Sequence, residues 1–559
     1  MIVLKLKQAA WILAAGMLLV GCGSVNIVST PIENIDAVPL KVAGLTEPQK
    51  QHWGHADLLT DTIPGMSVDK AYEEIIGKKK GARVVVAVLD SGIDITHEDL
   101  NDVIWTNAGE KPGNGKDDDG NGYVDDVHGY NFLGNSYYEQ QEFARILRLK
   151  LGDEATREKA RETLDKEYKE ASETKKMVDA NRQQTAQILS LVKEADAAIR
   201  AKLNKDQYSK DEVMAIATDD PQLERNKSII GQMFGYGDSI PEVIGLIQED
   251  IDRLDEGLAY FNEKLDYHLN VSFDGRKAVG DNPYDITDVP YGDGNPLNRD
   301  KEESHGTHVA GIIAAERDNG LGVNGVANNV AIMSIRAVPN GDEYDKDVAL
   351  GIRYAVDNGA RIINASFGKS FSPNAEWVYE AIKYAAEKDV LIVHAAGNDG
   401  NDLDDPSITN FPRDHMGTDA EIADNVITVG ALDPNYGSEM VASFSNYGHN
   451  NVDVFAPGGE IYSTMPGSEY EFQGGTSMAA PAVSGVAALI RSFFPELSAK
   501  EVKHILMDSG LSTKLSVVVA GDPSKAKPFD LLSKSGKMVN AYNALIMAQR
   551  IADEKTKLQ

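Results

Sequence analysis

Gly474-Gly475-Thr476-Ser477-Met478-Ala479-Ala480-Pro481, running on into Ala482-Val483-Ser484-Gly485-Val486-Ala487-Ala488-Leu489-Ile490, governs the reading of the whole chain. Two glycines, a Thr-Ser pair and a run of small and apolar residues describe a tight turn that opens a buried helix, with Ser477 at its start. Pro481 is expected within the first helical turn, where no backbone donor is lost. A serine at that place lies in the positive field of the helix N-terminus beside unpaired N–H groups, which suits an oxyanion. The same residues also describe a plain N-cap serine on a core helix. This stretch alone leaves both readings open.

Two further stretches decide between them. Val84-Val85-Val86-Ala87-Val88-Leu89-Asp90-Ser91-Gly92-Ile93-Asp94 is a continuous apolar run that ends in an aspartate. Such a run marks a strand buried on both faces of a parallel sheet, and in open α/β sheets sites form beyond the carboxyl ends of strands. His305-Gly306-Thr307-His308-Val309-Ala310-Gly311-Ile312-Ile313-Ala314-Ala315 places a histidine at the start of a small-residue apolar helix. An aspartate, a histidine and a serine, each at the edge of a core element, are the parts of a nucleophilic triad. After His305, short apolar strands at 330–336, 361–365, 390–393 and 426–429 alternate with helices at 348–356 and 375–386. That βαβ rhythm predicts an α/β fold with a doubly wound, mostly parallel sheet.

With these motifs in the order Asp90-Ser91-Gly92, His305-Gly306-Thr307-His308 and Gly475-Thr476-Ser477-Met478-Ala479-Ala480-Pro481, the chain resembles the subtilisin-like serine proteases, the subtilase family. The resemblance covers about 61–134 and 272–546. It implies a subtilisin-type fold in which Ser477 is the nucleophile, His305 the general base and Asp90 its orienting carboxylate. It also implies that Asn398, in Ala395-Ala396-Gly397-Asn398, donates its side-chain amide to the oxyanion. Ser366-Phe367-Gly368 and Ala395-Ala396-Gly397 are expected to form the walls of a cleft for extended polypeptide substrates. Taken by itself, Asn398 after a buried strand also reads as a turn cap. His394 reads as a packed core histidine.

The chain has 559 residues, long enough for a large core. It carries 87 acidic against 55 basic residues, a formal charge of −32, which argues against nucleic acid as a partner because phosphates need Lys and Arg. Residues 1–21 read as an export signal: Lys5 and Lys7 precede an apolar stretch from Ala9 to Val20 that is short for a membrane span. Leu19-Val20-Gly21-Cys22 looks like a bacterial lipobox, so Cys22 is expected to be lipidated and to anchor the protein to the cell envelope. An ordinary signal peptide with a chance cysteine is the other reading. Cys22 is the only cysteine, so no internal disulfide is available. Residues 22–60, with Pro31, Pro39 and Pro48, read as a tether. Residues 67–80 read as a capped helix, and 547–559 as a polar tail.

Asp117-Asp118-Asp119-Gly120-Asn121-Gly122-Tyr123-Val124-Asp125-Asp126 follows the start of a calcium loop. The expected ligands are Asp117, Asp119, Asn121, the Tyr123 carbonyl and Asp125, with Asp126 replacing the missing terminal glutamate, since that position is His128. A solvated acidic turn is the alternative. Between Asp90 and His305 the composition shifts to Glu, Lys, Ala, Leu and Gln, and 135–271 is expected to be an inserted helical hairpin arm. Its second half carries Ile244, Ile247, Ile251, Leu254, Leu258, Phe261 and Leu265 at helical steps, and its first half Ile188, Val192, Ala195 and Ile199. The charges on the arm read as a solvated face. The favoured function is a serine endopeptidase anchored to the bacterial envelope. An inactive scaffold or adhesin that binds partners through the arm is the competing one, and the intact triad positions argue against it. The oligomeric state and the natural substrate are not legible.

Overall fold

The computed structural model describes residues 29–41, 43–415 and 420–558. Cys22 and the signal segment lie outside them. Among the described helices none is long and apolar enough to cross a membrane.

A seven-stranded sheet forms the centre: β1 (Val84–Asp90), β2 (Gly129–Asn131), β3 (Val330–Arg336), β4 (Ile362–Ala365), β5 (Leu391–Ala395), β6 (Val426–Leu432) and β7 (Val454–Pro457), in the order β2-β3-β1-β4-β5-β6-β7. Every pairing is parallel. The uninterrupted apolar run of β1 has the cause expected of it, since the strand lies between two cores. Val84, Val86 and Val88 face one core, with Val309 and Ile313 of the helix His305–Ala314 and Val483 and Val486 of the helix Thr476–Phe493. Ala87 and Leu89 face the other, with Val348, Ile352, Val378 and Ile382 from the helices Asp345–Asp357 and Ala375–Glu387. The period of two in a strand sends alternate side chains to opposite faces, and each fully buried Val or Ile contributes about 1.5–3 kcal/mol. The chain leaves β1 for β2 and β3 on one side, then crosses to β4 on the other. Asp90 therefore stands at the carboxyl end of the strand where the winding reverses, the place where α/β sheets build sites.

Several expectations are corrected. Residues 31–60 are not a tether. Ile32, Ile35, Trp53 and Leu58 are buried in the main core, and the Trp53 indole donates to the carbonyls of Gly459 and Glu460, both at 3.1 Å. The polar tail is the end of a helix, Ala541–Leu558, in which Ala548 and Ala552 are buried and Lys555 pairs with Glu501. Its alanines are spaced to face the core, a signal too sparse to outweigh the charged residues between them. Ser67 does not cap its helix. Its hydroxyl donates to Asp57 and accepts from Asn540, tying the N-terminal segment to the C-terminal helix.

The insertion is more than a hairpin. A helix of 50 residues, Glu154–Leu203, runs against Ile240–Glu263, and at 1.5 Å per residue it is about 75 Å long. Between these two long helices lies a further helix, Pro221–Met233. At this outer end Val192, Ala195, Ile199, Val213, Ile230 and Ile240 form a small core of their own. Leu189, not Ile188, takes the buried position: Ile188 is exposed. At the root, Phe143, Ile146, Leu269 and Phe371 form another core, shared with the body of the molecule. The root charges are not a solvated face either. Glu139, Glu142 and Arg145 are buried. Arg145 donates to Glu142 and to the carbonyls of Asp342 and Glu343, while Lys369 donates to Glu142 and to the Glu343 carbonyl.

Candidate active site

Asp90 is almost wholly buried, and its Oδ1 accepts from His305 Nδ1 at 2.7 Å and from the Ser91 N–H at 2.8 Å. These partners lie 215 positions apart in sequence. Their approach depends on glycine at two places. Gly92 turns the chain after Asp90 at φ 102°, in the region that glycine favours. Gly306 sits so close to the Gly92 carbonyl that a Cβ would come within 2.3 Å of its oxygen. Burial pushes the His305 imidazole down, but the Asp90 charge and hydrogen bond outweigh it and raise the imidazole above its ordinary value of 6.5. The Nδ1–H is held by Asp90, so the neutral ring presents Nε2 as its basic nitrogen.

Ser477 lies in the first turn of the helix Thr476–Phe493. Its hydroxyl donates to the Ser366 carbonyl at 3.0 Å and not to His305. Gln473, on the strand before the helix, reaches the hydroxyl of Ser304, the residue before His305, at 3.4 Å. A serine–histidine hydrogen bond would require the Ser477 hydroxyl to leave the Ser366 carbonyl, and such bonds often tighten only when substrate is bound.

The Asn398 amide has a fixed sense. Its oxygen accepts from the Thr476 N–H at 2.8 Å and from the Thr476 hydroxyl at 2.9 Å. A backbone N–H can only donate, so Oδ1 must face Thr476 and Nδ2 is left for the cleft. From the point where a Cβ of Gly475 would lie, Asn398 Nδ2 is 3.4 Å away and the Ser477 N–H nitrogen 3.6 Å. Asn398 Oδ1 lies 3.7 Å from that point, so the Asn398 amide and the Ser477 backbone nitrogen are neighbours beside the serine.

The cleft-wall residues are fixed by hydrogen bonds that sequence reading missed. Pro481 lies in the second turn of its helix, not the first, and lacks the N–H that would bond the Ser477 carbonyl. The Ser366 hydroxyl fills that vacancy, donating to Ser477 O at 2.8 Å. Ser366 in turn accepts from Asn364, which accepts from Ser484. Phe367 is buried, and its carbonyl accepts from His394 at 2.9 Å. Burial pushes the His394 imidazole down to about 4, so it stays neutral as a donor. Gly368 leaves room for Asn410, whose oxygen would be 2.8 Å from a Cβ there. Ala395 ends β5, and the Ala396 carbonyl accepts from Asn410 and Asn446, both at 2.9 Å. The Gly397 N–H donates to the Thr476 hydroxyl. Thr476 and Ser484 lie in the stretch quoted first and His394 directly precedes Ala395, whereas Asn410 and Asn446 come from separate segments and carry no local signal.

The acidic loop is arranged differently from the expected calcium register. Asp117 accepts from the N–H groups of Gly120, Asn121 and Gly122, and Asp125 from those of Asn114 and Gly115. The Asn121 oxygen accepts from the Tyr123 N–H, and the Tyr123 ring packs on Tyr130 and Tyr354. These groups hold the loop's own backbone. The carboxylates that converge are Glu110, Asp119 and Asp126, with oxygens within 4.8 Å of one another. Glu110 lies before the motif and was missed for that reason. Its Oε2 is buried without a hydrogen-bond partner, and a Cβ on Gly109 would come within 2.7 Å of Asp119. A three-carboxylate cradle with an orphaned oxygen fits a hard cation such as calcium.

The subtilase family model matches residues 81–528 of the chain. A thermophilic serine proteinase of Bacillus sp. (strain AK1) is 39% identical over 245 residues, which are 44% of this chain and 52% of that protein. Subtilisin DY of Bacillus licheniformis is 40% identical over 203 residues, 36% of this chain and 68% of the relative. Thermitase of Thermoactinomyces vulgaris is 41% identical over 189 residues, 34% and 61% of the respective chains. The chain therefore spans about half the length of the first of these relatives.

Proposed function

The chain belongs to the subtilase family, and from that premise we propose that it is a serine endopeptidase. Ser477 attacks a peptide carbonyl, His305 Nε2 takes its proton and later gives it to the leaving amine, and Asp90 holds the tautomer and stabilises the charged ring. The resulting acyl-enzyme is hydrolysed by the reverse sequence with water. The observation that carries this reading is the buried Asp90 carboxylate accepting from His305 Nδ1 at 2.7 Å, since a fold retained only for binding has no use for an imidazole held in one tautomer. Substrates are polypeptides lying along Ser366-Phe367-Gly368 and Ala395-Ala396-Gly397. Glu110, Asp119 and Asp126 would hold a structural calcium ion, which relieves the repulsion among three carboxylates and takes no part in the chemistry. Anchoring to the bacterial envelope through lipidated Cys22 belongs to the same proposal and rests on the sequence of residues 1–22 alone.

A fluorophosphonate probe tests the activity. The wild-type protein is expected to be labelled at Ser477 and to cleave casein, and Ser477→Ala to lose both, with turnover lower by several orders of magnitude. Folded wild-type protein that takes no label would overturn the proposal.

A further inference from the structure

The N-terminal segment carries a cluster of metal-ligating groups away from the catalytic residues and ahead of residues 81–528, the part matched by the family. His52 ends the helix Glu47–His52, His55 lies one short turn later, and Asp69 comes from the helix Val68–Ala71. Their donor atoms lie within 4.8 Å of one another. His52 Nε2 is 2.7 Å from Asp69 Oδ2, and His55 Nδ1 is 3.9 Å from Asp69 Oδ1. A tetrahedral zinc ion with ligands at 2.0–2.2 Å needs donor separations of about 3.3–3.5 Å, which these distances bracket.

We propose that His52, His55 and Asp69 form a binding site for a divalent transition metal, with zinc as its natural occupant and water in the fourth position. Two observations support it. His55 Nδ1 is buried and has no hydrogen-bond partner, an orphaned nitrogen of the kind a metal takes up. The His52 side chain is 42% exposed, leaving one side of the cluster open to water. Arg317 opposes a cation, with Nη2 3.5 Å from Asp69 Oδ1. It is also fixed over the Tyr72 ring and by a hydrogen bond to the Gly325 carbonyl, so it orients the carboxylate as outer partners of metal ligands do. Two imidazoles with one carboxylate select zinc over calcium, which takes oxygen ligands.

The position gives the site a role. A cavity of about 50 Å³ is lined by His52 and His55 on one wall and by Gly311, Ile312, Met478 and Ala482 on the others. The last four belong to the helices that begin at His305 and Thr476. A metal bound here cross-links the N-terminal segment within itself, from His52 to Asp69, where that segment lines the same cavity as the two helices. It serves where no disulfide can, since the one cysteine is Cys22.

The test uses full-length protein carrying Ser477→Ala, to prevent self-cleavage, stripped of metal and dialysed into calcium. Calorimetric titration with zinc is expected to show one equivalent bound, undisturbed by calcium, and a melting temperature that rises with zinc concentration. His52→Ala and Asp69→Asn, both at part-exposed positions, are expected to weaken binding at least about tenfold and to abolish the melting shift. Cobalt in place of zinc is expected to give the strong visible absorption of a four-coordinate site. Zinc binding that is unchanged in both variants, or lost on His305→Ala but kept in His52→Ala, would overturn the proposal. So would the absence of binding, or a weak six-coordinate cobalt spectrum.

Discussion

At His305 two opposing effects meet, and their balance sets a pH dependence. Burial disfavours the imidazolium; the Asp90 carboxylate, 2.7 Å away, favours it more strongly. The folded value lies above the ordinary 6.5, so two consequences share one window. The stability contributed by the charged pair is complete below the unfolded value and is lost as pH rises through the raised folded value. Activity needs the neutral ring and appears over that same rise, so the acid limb of kcat/KM is expected above pH 6.5. Asp90→Asn removes both the charge and the tautomer control. It is expected to shift that limb downward and cut kcat about 10⁴-fold, as a pH–rate profile of the two proteins would show. Asn398 offers a second test at this scale. Its oxygen is occupied by Thr476, which leaves its Nδ2 as the donor. Asn398→Ala is expected to lower kcat about 10²–10³-fold with little change in KM, and steady-state kinetics on a short peptide substrate would check this.

Among the elements, the acidic loop makes the clearest prediction because its carboxylates divide into two kinds. Asp117 stabilises turns through backbone N–H groups. Glu110, Asp119 and Asp126 face one another. Burial, together with the Asp119 charge, raises the Asp126 carboxyl even though Tyr354, Asn121 and Asn107 donate to it. Saturating calcium at a hundred times its Kd would add about 2.7 kcal/mol. Calcium is therefore expected to raise the melting temperature of the wild type and to have no effect on Glu110→Gln combined with Asp119→Asn. Asp117→Ala is expected to lower the melting temperature while keeping the calcium response. Thermal melts with calcium and with chelator separate these cases. The helix that carries Ser477 shows a related division of labour: Pro481 removes one helical hydrogen bond, and the Ser366 hydroxyl from the cleft wall replaces it. Ser366 and Ser477 are thereby fixed to each other.

On the scale of the whole molecule, the arm and the body share a root. Lys369 directly follows the cleft stretch Ser366-Phe367-Gly368, is buried, and pairs with Glu142 and Asp345. Cutting out 137–270 takes away Glu142 and Arg145, leaves Lys369 with Asp345 as its one remaining carboxylate, and strips Phe143, Ile146 and Leu269 from the core around Phe371; breaking a buried ion pair by removing one partner costs about 3–5 kcal/mol. That deletion is expected not to fold. A shorter cut respects the root. Gly257 packs beside Val178, and Arg182 pairs with Asp255, so the two long helices are neighbours at this level. Joining Val178 to Gly257 through a short glycine-rich turn removes the outer arm with its separate small core. The truncated protein is expected to fold and to hydrolyse small peptides at near wild-type rate. Cleavage of a folded protein substrate by truncated and full-length enzyme, measured side by side, reports whether the outer arm recruits substrates: equal rates would make it a spacer.

The sequence by itself determined the α/β alternation, the placement of Asp90, His305 and Ser477 at element edges, and the existence of a helical insertion. These are legible because a doubly buried strand, a small-residue helix and a long apolar seam each impose a local periodicity. Tertiary structure alone decided the rest. It gathered Glu110 rather than Asp117 to the acidic cradle, turned the Asn398 amide toward the cleft through Thr476, and set Ser366 against the carbonyl freed by Pro481. It also drew the N-terminal segment and the C-terminal helix into the core, and buried the charges of the arm's root. Most of these contacts join residues from separate segments, and even within the acidic loop and the arm's root a hydrogen bond or a buried charge depends on distance in space and leaves no period along the chain.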